Sequence, residues 1–206
     1  MVLAAGLALW PASHARAAGP KLDWHAFTSE FPAGFRIEAR ASSDSDIESI
    51  AVRLKLGQQT SGAYDYLEHS QGKLVEGEFF WRTDTSGRYV PPGTIITYNF
   101  EILDTAGQSI QTEPQRAVYF DARFVDEEGE SLWQEVSRGT VTVAYKGPVK
   151  KRAEDVLNTI FETLEKMVPV MGEEAMGEPI RVTMYNNTKE MLEALPPKSA
   201  AISREL

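Results

Sequence analysis

The sequence predicts a β-sandwich of immunoglobulin or fibronectin III kind, followed by an incomplete α/β segment. Three observations carry this. Apolar and polar residues alternate strictly through Ile96, Tyr98, Phe100 and Ile102, with Thr97, Asn99 and Glu101 between them, so one face meets a core and the other meets water. About seven such short runs, separated by polar turns every eight to twelve residues or so, fit a two-sheet sandwich and not a helical domain. After Gly147-Pro148 the period changes to that of a helix.

Phe35, Ile37, Ala39 and Ala41 alternate in the first clear run, the polar stretch Ser42–Asp46 breaks it, and Ile50, Val52, Leu54 and Leu56 alternate in the next. Both read as half-buried strands. In Leu74–Arg82, Val75, Phe79 and Trp81 are strand formers, and Gly77 marks a bulge or a point of close packing. Pro91-Pro92-Gly93 precedes the central strand, because consecutive prolines donate no N–H and sit outside a central strand. Asp104-Thr105-Ala106-Gly107 supplies the turn that returns the chain to Ile110, with Asp accepting from its own backbone and Gly taking the left-handed position. Val118 and Phe120 are expected to close the sandwich, which is assigned to residues 30–122. Burial of each inward Ile, Phe or Tyr contributes roughly 1.5–3 kcal/mol, so the Ile96–Ile102 strand is central to its stability.

Residues 123–138 are acidic and broken by glycines, and read as a linker. The α/β segment, residues 139–206, begins with Val141, Val143 and Tyr145 on one face of a strand. Val149, Ala153, Val156, Leu157, Ile160, Leu164 and Val168 then recur at helical spacing, with Pro169 expected to end the helix. Ile180, Val182 and Met184 form a second strand, and Asn186-Asn187-Thr188 caps a short helix that runs to Pro196-Pro197. Strand, helix, strand, helix is about half a domain, expected to expose Val141, Val143, Ile180 and Val182 and to be lost to proteases after about Arg123.

Composition excludes several functions. The 206 residues carry 42% hydrophobic side chains, enough for a core, and a net charge of -9. With a pI near 4.9 and no clustered Lys and Arg, nucleic acid is excluded as a partner. The absence of cysteine removes disulfides, thiolate nucleophiles and thiolate metal sites. At the N-terminus, the apolar run Val2–Trp10 followed by Ala15-Arg16-Ala17 reads as a signal peptide over residues 1–18 and predicts export. That run is too short to span a bilayer, which needs about 20 apolar residues, and no later segment supplies a membrane span.

The order of the Tyr89-Val90-Pro91-Pro92-Gly93-Thr94 hairpin entry, the RAVYFDARF exit, a Trp, the Val141–Tyr145 strand, a long helix and Met184-Tyr185-Asn186 through Leu195-Pro196-Pro197 resembles the front of bacterial secreted proteins of the peptidase MA family, gluzincin-like metallohydrolases. The resemblance runs from about Phe35 to about Pro197. It implies a sandwich ahead of a peptidase domain, whose opening strands and helices lead to a zinc helix bearing H-E-x-x-H. There two histidines one turn apart bind zinc and the Glu activates the metal-bound water. In a full-length relative the partner is a protein or peptide substrate.

This chain departs from that pattern at the zinc helix. Its three histidines are His14, His25 and His69, and none has a second His four residues away. His14 falls in the signal, His25 in a surface segment and His69 in a loop. No catalytic, cofactor-binding or metal-ligating residue is therefore assigned, zinc being expected only in a full-length relative, and the chain reads as ending just before the catalytic helix. Asp44, Asp46 and Glu48 have a calcium-like spacing without the Gly and bidentate Glu that an EF-hand loop requires. The Asp126–Glu130 run reads as solvating charge, and Asn186-Asn187-Thr188 fits a glycosylation sequon. Tyr64, Tyr66, Phe79, Phe80, Trp81 and Tyr89 form either an aromatic sugar-binding surface or sandwich core. Two functions remain: the accessory and pre-catalytic part of an exported metallohydrolase, inactive alone, or a stand-alone extracellular module that binds a protein or glycan.

Overall fold

The computed structural model describes residues 18–57, 62–85, 88–172, 177 and 179–195. His14, most of the expected signal and Pro196-Pro197 lie outside the described residues. Nine strands build the first unit: β1 (Lys21–Glu30), β2 (Gly34–Ser42), β3 (Ile47–Leu56), β4 (Ala63–Tyr66), β5 (Glu68–His69), β6 (Leu74–Arg82), β7 (Thr94–Asp104), β8 (Ser109–Gln111) and β9 (Gln115–Tyr119). One sheet has the order β1-β2-β6-β5; the other runs β4-β3-β7-β8, with β9 also on β7. All their pairings are antiparallel. The inward residues Phe35, Ile37, Ile50, Val52, Ile96, Phe100 and Ile102 share one core, so the unit is a β-sandwich.

The alternation read from β7 holds: Ile96, Tyr98, Phe100 and Ile102 are buried. Asp104 ends the strand, and its Oδ1 accepts from the backbone N–H groups of Ala106 (3.1 Å) and Gln108 (2.9 Å), while Gly107 takes a φ of 78°. The return strand then pairs Ile102 with Ile110. Gly77 lies in unbroken register with Ala39, so it is not a bulge. It is a point of close packing, where a Cβ would stand 3.0 Å from the Leu67 side chain.

Three boundaries differ from expectation. The sandwich begins at Lys21, not residue 30. β1 is an edge strand with a register shift between Leu22 and Trp24, and Trp24 is 48% exposed, so its sequence lacks clean alternation. At the other end, Tyr119 is the fully buried residue, with Val118 and Phe120 only part-buried; the parity read from the sequence was off by one. The expected linker contains a third difference. Within it, β10 (Trp133–Arg138) pairs antiparallel with β11 (Val141–Lys146), the Gly139 φ of 56° allowing the turn. As an outer strand whose Gln134, Glu135, Ser137 and Arg138 face solvent, β10 reads by composition as loop.

β11 pairs in parallel with β12 (Ile180–Thr183), giving a three-stranded sheet β10-β11-β12. The connection is helix α1 (Lys150–Met171), and α2 (Thr188–Ala194) follows β12. Asn187 caps α2, its side chain accepting from the Glu190 N–H at 3.0 Å. α1 lays Ala153, Val156, Leu157, Ile160 and Leu164 over Val141, Val143 and Tyr145. Val141 and Val143 are therefore fully buried and Ile180 and Val182 half-buried, contrary to the expected exposure. Pro169 does not end α1; it sits in the last turn, and Gly172 closes the helix, donating to the Val168 carbonyl at 2.8 Å. No helix among the described residues is long and apolar enough to cross a membrane.

Candidate functional site at the sandwich–α/β junction

The chain leaves β9 at Tyr119 and turns at Asp121, a buried carboxylate between the sandwich and the following sheet. A buried charge persists only if it is paired and fully hydrogen-bonded. Asp121 meets both conditions. The Arg123 guanidinium donates to it in fork geometry, Nε to Oδ1 at 2.8 Å and Nη2 to Oδ2 at 2.6 Å. The Arg123 backbone N–H adds a bond to Oδ1 at 3.2 Å, and the Tyr185 hydroxyl donates to Oδ2 at 2.9 Å. Above the carboxylate, the Asp121 carbonyl accepts from Trp133 Nε1 at 3.0 Å. Tyr185 lies just past β12 and Trp133 opens β10, so one residue ties both outer strands of the three-stranded sheet to the sandwich exit.

Aromatic packing surrounds this hub. The Arg123 guanidinium lies over Phe31 of the β1–β2 turn (5.4 Å) and over Phe124 (5.5 Å), and Trp133 meets Tyr185 edge to face at 5.4 Å. Lys146, at the end of β11, is 8% exposed; its Nζ pairs with Glu190 of α2 at 2.7 Å and rests over the Phe124 ring at 4.1 Å. Arg123 also reaches Glu193 of α2 at 3.2 Å, and the Tyr89 hydroxyl donates to the Ala194 carbonyl at 2.7 Å. Ala194 and Tyr185 consequently pack with the sandwich core. At the front edge, Thr183 Oγ1 donates to the Pro92 carbonyl at 3.1 Å, and Gly93, at a φ of 96°, approaches so closely that a Cβ would stand 3.0 Å from Thr183 Oγ1.

The electrostatics hold this joint together. Burial, followed by the Asp121 carboxylate, pushes the Tyr185 phenol far above its ordinary range, so it remains a neutral donor. The hydrogen bond from Lys146 holds the Glu190 carboxyl below its usual value, and the Asp121 bond raises Arg123 further. Asp121 accepts four hydrogen bonds at its two carboxylate oxygens. Those four bonds take up the lone pairs of both oxygens within the joint.

The residues considered from the sequence lie elsewhere. His25 is on β1, half-buried, not on a surface segment; its Nδ1 is 3.2 Å from the Tyr98 hydroxyl and its ring meets Tyr98 edge to face. His69 Nδ1 is bonded to the Ser70 carbonyl at 2.8 Å. The Asp44 carboxylate accepts from the Ala18 N–H at 2.6 Å, and Asp46 contributes its carbonyl to Thr105. Asp126 Oδ1 accepts from the N–H groups of Glu128 and Glu130 in a tight turn, a structural use of the acidic run. Among the described residues no group of three or more His, Asp or Glu is placed to hold a metal ion.

The six aromatics do not form one surface. Phe79 is core, Trp81 packs against it, Tyr89 bonds α2, and Phe80 lies under the Arg36 guanidinium at 5.3 Å. Only Tyr64 and Tyr66 are exposed, edge to face at 5.4 Å on β4, with Arg53 over Tyr64 at 5.0 Å. The joint residues Asp121, Arg123, Lys146 and Glu190 were not singled out by sequence. Two signals were available: Lys146 ends an otherwise buried strand, and the motifs carrying the family resemblance include Asp121, Arg123 and Tyr185.

No protein-family model matches this chain, and no curated protein matches it. The solved structure described as "Crystal structure of Br derivative BhCBM56" is similar to it at 11% sequence identity, over 46% of this chain and 88% of that one, with a TM-score of 0.31. A likeness that slight carries no argument for fold or function.

Proposed function

We propose that the chain is the accessory and pre-catalytic part of an exported, peptidase MA-like zinc metallohydrolase, inactive by itself. The observation that carries this reading is the joint at Asp121. A binding module with an incidental tail needs no buried, fully bonded carboxylate fixing that tail to it, whereas a support for a catalytic domain does. The Pro91-Pro92-Gly93 turn and Tyr185, both within the motifs that resemble the family, lie at this joint. On β12, the edge away from β11 carries no strand among the described residues, and such an edge is a place for a sheet to grow. The sandwich is of immunoglobulin or fibronectin III kind in this reading: β1-β2-β6-β5 facing β4-β3-β7-β8 corresponds to strands A-B-E-D facing C′-C-F-G. Residues 1–18 direct export, zinc belongs to an H-E-x-x-H helix of the longer protein, and the substrate is a protein or peptide. The nucleotide sequence past the Leu206 codon tests this: an in-frame H-E-x-x-H within about a hundred codons is expected, and unrelated sequence after a genuine stop overturns it.

A second reading, a stand-alone extracellular binding module, is favoured by the exposed Tyr64 and Tyr66 pair on β4. It predicts retardation of the chain in a polysaccharide-loaded native gel that the Tyr64→Ala, Tyr66→Ala double variant abolishes. Equal mobility with and without polysaccharide removes its glycan form.

A further inference from the structure

Resting on the export reading above, we infer that the leader is cut between Ala17 and Ala18, and that Asp44 then captures the new α-ammonium group of Ala18 as the anchor of the mature N-terminus. Three small-x-small registers overlap in this stretch: Ser13-His14-Ala15, Ala15-Arg16-Ala17 and Ala17-Ala18-Gly19. Each is compatible with a signal-peptidase cut after its third residue. The structure separates them by what each cut leaves on Asp44. Ala18 exchanges two bonds with that residue: its N–H donates to Oδ2 at 2.6 Å, and its carbonyl accepts from the Asp44 N–H at 3.3 Å. Pro20 is buried and β1 starts at Lys21. A cut after Gly19 discards both bonds and leaves a secondary amine on Pro20. A cut after Ala15 puts the new charge on Arg16, two residues short of the carboxylate. Only the cut after Ala17 sets it directly on Asp44.

The step is a hydrolysis. The hydroxyl of water goes to the Ala17 carbonyl carbon and its proton to the Ala18 nitrogen as the C–N bond breaks. At neutral pH the new Ala17 carboxyl then releases a proton and the new amine takes one up. A neutral N–H···O bond to Asp44 thereby becomes a charge-assisted one, roughly twice as strong. The carboxylate is available for it, since Asp44 forms no ion pair with any described Lys or Arg. The neighbouring charges are matched already: Asp104 accepts from the Ser43 hydroxyl at 2.7 Å, and Asp23 pairs with Lys21 at 2.8 Å.

The test expresses the full 206-residue chain in a bacterial secretion host and takes the exported product for intact-mass and N-terminal peptide analysis. The product is expected to begin at Ala18. Its α-amine is then acetylated at pH 7 with an N-hydroxysuccinimide ester, a reaction of the neutral amine and not of the ammonium form that Asp44 favours. Asp44→Asn keeps an oxygen acceptor but removes the charge, and should speed acetylation of Ala18 about two- to fivefold, the range of an exposed ion pair. Asp155→Asn, on α1, should leave the rate unchanged. A product beginning at Arg16 or Pro20 overturns the assignment while export stands, whereas a chain retained uncut inside the cell overturns both. Equal acetylation rates in the wild type and Asp44→Asn overturn the capture. Circular dichroism of Asp44→Asn, an exposed position, verifies that a faster reaction does not come from unfolding.

Discussion

Replacing Asp121 with alanine removes the buried anion that pairs Arg123 and accepts from Tyr185, while leaving the Asp121 carbonyl free to bond Trp133. Removing one partner of a buried ion pair costs about 3–5 kcal/mol, mainly because the remaining charge stays buried and unpaired. The Arg123 side chain is 25% exposed and keeps Glu193 at 3.2 Å, which places the expected loss near the low end, about 3 kcal/mol. The orphaned Tyr185 hydroxyl adds about 1 kcal/mol. For a urea m-value of roughly 2 kcal/mol/M, the total of about 4 kcal/mol moves the midpoint down by about 2 M. The loss falls on the contact between the two units, so circular dichroism should show one urea transition for the wild type and, for Asp121→Ala, an earlier one for the α/β segment ahead of the sandwich. A single transition within about 0.5 M of the wild-type midpoint would refute the idea that Asp121 couples the two units.

Two further outcomes follow from buried groups. Burial pushes the Tyr119 phenol up to about 12, and Tyr185, Tyr89 and Tyr98 are raised for the same first cause. A raised folded-state value means the unfolded chain loses its proton first, so the stabilisation is complete below pH 10 and is lost as pH rises toward 12. Tyr119 alone accounts for roughly 2–3 kcal/mol of that fall. Urea midpoints measured from pH 8 to 11.5 should stay level and then decline above about 10; a flat profile contradicts the burial of these phenols. Phe100→Asp places a carboxylate at a fully buried position of the central strand and should unfold the sandwich, which retention of the wild-type circular dichroism spectrum would disprove.

Where the sequence spoke clearly, it did so through alternation. β2, β3 and β7 each bury a continuous period-two series, from Phe35 to Ala41, Ile50 to Leu54 and Ile96 to Ile102, and the turn at Asp104–Gly107 carries its own chemistry. α1 was equally legible because its apolar stripe has one sheet face to cover. Outer strands were not. β1 and β10 bury little and carry polar or charged residues on both faces, so neither composition nor period separates them from loop. The joint escaped for another reason. Asp121, Arg123, Lys146, Tyr185 and Glu190 lie far apart in sequence and are brought together only by β11–β12 pairing and the capping of α2; an Asp two residues before an Arg has no meaning until the sheet closes over it. Pro169 does not stop α1, because it removes a single N–H bond near the helix end and the Gly172 N–H still closes the last turn on the Val168 carbonyl.

Zinc content measures the proposal most directly. Atomic absorption on the purified 206-residue chain should give essentially no zinc per chain. On the proposal, a chain extended by a downstream reading frame that carries H-E-x-x-H should hold one zinc, released by a chelator. Stoichiometric, tightly held zinc on the 206-residue chain, or none on the extended one, would contradict the reading of this polypeptide as the support of a zinc metallohydrolase.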